Sequence, residues 1–174
     1  MKRLFLLRHA KTEQADKDTP ADADRVLTER GRSDAPLVGR EMRKKGYQPD
    51  LILCSPSART RQTLELALAE FGGSPEIRSV DSIYAAGARD ILALVRGLPR
   101  EVQRPMVVGH NPSFEEIAAL LVGDAGAANF DAFGEKFPTA ALAVIDFDVA
   151  DWKEVEPGAG KLTDFIKPKD LRGG

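Results

Sequence analysis

A chain of 174 residues, 43% apolar and 30% charged, is long enough to bury one core and too ordinary in composition for a disordered or fibrous protein. A formal net charge of −2 gives general nucleic-acid binding no electrostatic support. One cysteine, Cys54, excludes an intramolecular disulfide and a multi-cysteine zinc site and suits a reducing, cytoplasmic setting. A single domain over residues 1–174 is expected.

The first apolar run, Leu4–Leu7, is too short for the core of a signal peptide and meets Arg8 at once. Nothing along the chain approaches the ~20 apolar residues of a membrane-spanning helix, so no membrane association is expected. Leu4–Leu7 reads instead as a buried strand, followed by Arg8 and His9. Thr28 caps a helix running to about Lys45 and stopped by Gly46. Leu51–Cys54 is a second strand. "SPSARTRQTLELALAEFGG" then offers Ser55 as helix cap, Pro56 at the first helical position and Gly72 as stop. A weaker strand lies near Glu76–Val80. "GARDILALVRGL" spaces Ile91, Leu94, Val95 and Leu98 at helical intervals. Met106–Val108 is a further strand, and "NPSFEEIAALLVG" a helix with Asn111 as cap and Gly123 as stop. Residues 124–139 lack a clear period and read as a loop or flap. Ala141–Phe147 is the last strong strand, and the tail from Glu156 is weakly patterned, with "GKLTDFIKP" packing back on the body. Strands alternating with helices imply an α/β fold of three layers, α/β/α, with a mostly parallel central sheet and helices on both faces.

In such sheets ligands bind beyond the carboxyl ends of the strands. Arg8 and His9 follow the first strand, Ser55 and Arg59 the second, and Gly109, His110 and Asn111 the Met106–Val108 strand. If those strands are neighbours, two arginines and both histidines of the chain converge on one small volume. That volume suits a phosphoryl group. Helix starts contribute unpaired N–H groups, and arginine adds a permanent charge whose planar fork matches two phosphate oxygens. Nearby arginines disfavour the imidazolium, keeping one histidine nitrogen free to attack phosphorus. A phosphohistidine intermediate then divides the reaction into two easier steps, with the cationic groups stabilising the equatorial oxygens. This scheme calls for no metal and no cofactor.

"LLRHAKT", "LILCSPSARTRQT" and "VVGHNPS" resemble the histidine phosphatase superfamily, whose fold is phosphoglycerate-mutase-like. With "RVLTERGRSDA" and "SIYAAGARDILALVRGL", the chain looks most like the SixA-type phosphohistidine phosphatase branch. The resemblance implies that His9 is the nucleophile, that Arg8 and Arg59 bind the phosphate, and that His110 is the second catalytic histidine. It places Arg25 facing the same site, with Ser55, Asn111 and Thr12 lining the pocket. Ala10 stands where the larger family usually has glycine after the histidine. Asp81 is the nearest candidate for the general acid that mutase-like members carry ahead of the second histidine. The implied substrate is a phosphorylated protein, such as a histidine-containing phosphorelay component, or a small phosphorylated molecule.

Three other readings compete. A cysteine phosphatase needs five residues between its cysteine and arginine; Cys54 and Arg59 are separated by four, and a cysteine inside an apolar strand is unreactive. A phosphate-binding module without turnover is disfavoured by the presence of all four core residues. A mutase or small-molecule phosphatase is disfavoured by how little sequence lies between Arg59 and His110 to build a lid.

Overall fold

The apolar runs do form strands, and they lie side by side. The computed structural model describes residues 1–15, 21–132 and 137–173. Strands β1 (Lys2–Arg8), β2 (Leu51–Cys54), β3 (Glu76–Ser79), β4 (Pro105–Gly109), β5 (Leu142–Phe147) and β6 (Lys161–Ile166) build one sheet. Its order is β3-β2-β4-β1-β5-β6. The β3, β2, β4 and β1 strands are parallel, whereas β5 is antiparallel to β1 and β6 to β5.

Side chains alternate across a strand, so each apolar run feeds two cores. Leu4, Leu6, Leu51, Leu53 and Val107 pack on one face under α3 (Ala88–Arg96) and α4 (Ser113–Ala132). Phe5, Leu7, Ile52, Cys54, Met106 and Val108 pack on the other face under α1 (Glu29–Lys45) and α2 (Ala58–Phe71). The outcome is the three-layer α/β/α arrangement with a mostly parallel sheet. A short α5 (Pro168–Leu171) closes the chain against α1, held by Arg172 donating to the buried Asp34 carboxylate. Among the described residues, no helix is long and apolar enough to cross a membrane.

Local signals set α1 at both ends. The Thr28 hydroxyl accepts from the Gly31 N–H, and Gly46 takes the left-handed conformation, φ 72°, that ends the helix without a Cβ clash. Three local readings need correction. The cap of α2 is Ser57, which accepts from Thr60 N–H, because the Ser55 N–H still extends the sheet by donating to the Val108 carbonyl. Gly123 is a break rather than a stop: its φ of 67° interrupts α4, and helix resumes through Ala132. Part of the stretch read as a loop is therefore helical, while residues 133–136 lie outside the described residues. The tail contains a true strand, β6, whose Asp164 accepts from Lys45 Nζ (2.7 Å) and Tyr47 Oη (2.8 Å).

Candidate active site

Sheet register brings the three polar clusters together. Arg8 on β1 is opposite Gly109 on β4, and Cys54 on β2 is opposite Val108. The residues that follow, His9, Ser55 and His110, therefore share one rim of the sheet. Two backbone bonds continue the ladders into that rim, His9 N–H to Gly109 O (3.1 Å) and Ser55 N–H to Val108 O (3.0 Å). A Cβ on Gly109 would lie 2.7 Å from the Phe114 ring, so only glycine lets α4 approach this closely below His110.

His9 is 7% exposed, and its Nδ1 lies 2.8 Å from the Ala10 carbonyl oxygen. A carbonyl only accepts, so Nδ1 carries the proton and Nε2 carries the lone pair. Burial pushes the His9 pKa down to about 3; the Ala10 bond opposes this, and Arg8, Arg59 and His110 add to it. The His110 ring centroid is 5.6 Å from that of His9, and its Nε2 is 2.7 Å from Ser55 Oγ. Burial and Arg59 push His110 down to about 4, against the opposing pull of Asp22. Both imidazoles are therefore neutral near pH 7. Arg8 Nη1 donates to the Phe137 carbonyl (2.8 Å), and burial lowers the guanidinium's pKa while leaving it charged.

Arg59 comes from the first turn of α2 and is 6% exposed. Its Nη1 donates to the Asp22 carbonyl (2.9 Å) and its Nη2 to Asp22 Oδ2 (3.0 Å). Arg25 Nε donates to Asp22 Oδ1 (2.9 Å), and Arg25 Nη1 donates to Thr12 Oγ1 (3.2 Å). The Tyr84 hydroxyl donates to Asp22 Oδ2, which with Arg59 and Arg25 holds the Asp22 pKa down at about 2. The Tyr84 ring lies beneath the Arg59 guanidinium (5.8 Å) and edge-on to His110 (5.5 Å).

Among the described residues, three buried side-chain nitrogens lack a hydrogen-bond partner: Arg8 Nε, Arg59 Nε and His110 Nδ1. All three belong to this cluster. Leaving a buried polar nitrogen unpaired costs ~1–3 kcal/mol, so their confinement to one place makes this cluster the candidate site.

Of the residues singled out from sequence, the fold gathers Arg8, His9, Arg59, His110 and Arg25. Ser55 is fully buried, and its hydroxyl meets His110. Asn111 is committed to α4: its Oδ1 accepts from Glu115 N–H (3.2 Å), while its Nδ2 donates to the Phe137 carbonyl that Arg8 also uses (3.0 Å). Asp81 is exposed on a 3-10 turn, Asp81–Ile83, and its carboxylate has no hydrogen bond or ion pair among the described residues. Burial pushes the Cys54 thiol up to about 11, which makes it a poor nucleophile. Asp22 and Tyr84 were not singled out. Tyr84 follows the end of β3 on the same rim, and Asp22 lies three residues before Arg25, so strand-end position was the signal for one and spacing for the other. Among the described residues, no group of three or more His, Cys, Asp or Glu side chains is placed to hold a metal ion.

Residues 4–82 match the family model of the histidine phosphatase superfamily (branch 1). An uncharacterised protein of Mycobacterium tuberculosis is 34% identical over 165 residues, covering 94% of this chain and 100% of the relative. The crystal structure of a candidate phosphohistidine phosphatase SixA from Agrobacterium tumefaciens superimposes with a TM-score of 0.82 at 35% identity, covering 96% of this chain and 98% of that one. The fold is also that of the protein histidine phosphatase SixA complexed with tungstate, at TM-score 0.77 and 22% identity, covering 98% and 99% of the two chains. The chain belongs to the histidine phosphatase superfamily, in its SixA-type branch.

Proposed function

We propose that the protein is a metal-independent phosphatase that uses His9 as nucleophile and acts by preference on phosphohistidine in a protein. The observation that carries this reading is the set of unpaired buried nitrogens, the Arg8 and Arg59 Nε–H donors and His110 Nδ1, around a histidine whose Nε2 is free. Phosphate oxygens supply the acceptors that the two arginine Nε–H groups lack.

In the first step the Nε2 lone pair of His9 attacks phosphorus. The bond from phosphorus to the leaving atom breaks, and that atom departs with the bonding pair. Arg8 and Arg59 stabilise the charge on the equatorial oxygens, and the Ala10 carbonyl holds the His9 Nδ1 proton, stabilising the charge gained by the ring. In the second step water attacks the phosphorus, the P–N bond breaks, and neutral His9 is restored with release of phosphate. With the Asp81 carboxylate exposed and unattached, a leaving group that departs without a strong acid is favoured; imidazole meets that condition better than an alkoxide.

The test is phosphate release from a phosphohistidine-bearing protein, sugar phosphates and nucleotides, each with and without chelator. The proposal expects preference for the phosphohistidine protein and no effect of chelator. Preference for a small phosphomonoester overturns the substrate assignment, and release from none of them makes the protein a binding module.

A further inference from the structure

Asp22 is the residue at the site whose presence runs against simple electrostatics. A pocket for an anion gains nothing from a fixed carboxylate beside its arginines, yet Arg25, Arg59 and Tyr84 all converge on this one side chain. The geometry at Arg59 accounts for it. Asp22 takes the outer edge of the guanidinium, Nη1 through its carbonyl and Nη2 through its carboxylate, and leaves the Nε–H buried and unpaired. Bidentate recognition of an oxyanion uses two adjacent N–H groups of the fork, and the Nε side is the one Asp22 leaves without a partner. Tyr84 supports the same arrangement from below, with its ring under Arg59 and its hydroxyl on Asp22, while Arg25 secures the second carboxylate oxygen.

We propose that Asp22, braced by Tyr84 and Arg25, is a positioning residue that fixes Arg59 with its Nε edge toward the phosphoryl group. The proposal rests on the phosphate-site reading above and adds residues that act through Arg59. Its consequence has a distinctive sign. If Asp22 were only a nearby negative charge, neutralising it would tighten oxyanion binding. If it orients Arg59, neutralising it loosens binding, because the freed guanidinium must be ordered by the ligand itself.

The experiment is calorimetric titration of the full chain with tungstate. Asp22→Asn is expected to weaken binding at least ~5-fold, the scale of one compromised charge-assisted hydrogen bond. Tyr84→Phe, which keeps the ring under Arg59, shifts affinity in the same direction by a smaller factor and serves alone should Asp22→Asn fail to fold. In an Arg59→Ala background both substitutions become silent, which a general loss of structure would not produce. Equal or tighter tungstate binding in Asp22→Asn, or an undiminished loss in the Arg59→Ala background, overturns the proposal. Failure of the wild-type protein to bind tungstate overturns the phosphate-site reading and the proposal with it, so the two failures are told apart by the wild-type titration.

Discussion

Lowering the pH from 7 to 5 should cost this protein stability in an amount set by its two histidines. His9 and His110 are held neutral in the folded state, with pKa values near 3 and 4, whereas an unfolded histidine titrates near 6.5. Below 6.5 the unfolded chain therefore binds protons that the folded chain refuses, and stability falls as pH falls. Each histidine contributes roughly 2 kcal/mol of loss between pH 7 and pH 5, or about 4 kcal/mol for the pair. That is a large part of the ~5–15 kcal/mol typical of a domain. The carboxylates barely interfere in this window, because an unfolded Asp titrates near 3.9 and the lowered Asp22 and Asp146 shift stability only below pH 5. Urea unfolding in phosphate-free buffers at pH 7, 6 and 5 measures the effect. Because the chain has only two histidines, their ring proton signals in NMR spectra give the folded-state titrations directly. A loss below ~1 kcal/mol between pH 7 and 5, or folded-state midpoints near 6.5, would refute the reasoning.

Four substitutions probe the remaining structure. Arg8→Ala and Arg59→Ala should each weaken tungstate binding by about tenfold or more, since each removes a charge-assisted donor worth ~1.5–3 kcal/mol; calorimetric titration of the two variants measures this. Ser55→Ala should leave His110 Nε2 buried without its partner, costing ~1–3 kcal/mol of stability and lowering kcat by about tenfold as the imidazole loses its fixed orientation. Thermal unfolding and steady-state kinetics on the same preparation separate those two effects. Gly109→Ala should destabilise the fold by ~1–3 kcal/mol, because its methyl group meets the Phe114 ring at 2.7 Å beneath the site; urea unfolding at pH 7 measures it.

Wherever local chemistry decides the structure, the sequence could be read. Thr28 and Gly46 bound α1 through their own hydrogen bonding and backbone freedom, and the short apolar runs mark strands buried on both faces. The Arg8, His9, Arg59 and His110 cluster was legible because Arg8 ends a strand, His9 and His110 follow strands, Arg59 opens the helix after another, and parallel pairing carries strand ends to one rim. Where a longer-range partner decides, local reading failed. Ser55 and Ser57 are both plausible caps, and only the bond from Ser55 N–H to Val108 O assigns the first to the sheet and the second to the helix. The β6 strand carries Lys161 and Asp164 and owes its existence to pairing with β5, with a register shift between Val144 and Ile145 that blurs its alternation. Asp22 stands in an acidic run, "ADADR", that reads as solvated surface until Arg25, Arg59 and Tyr84 close on it.

The central claim is that a phosphoryl group passes through Nε2 of His9. Rapid quenching of the enzyme with its phosphorylated substrate under neutral conditions, followed by fragmentation mass spectrometry that preserves P–N bonds, tests it directly. A phosphoryl group is expected on His9 at early times and none in His9→Ala, which also loses turnover while staying folded. Turnover that persists in His9→Ala, or a trapped phosphoryl group on Cys54 or His110 with none on His9, would contradict it.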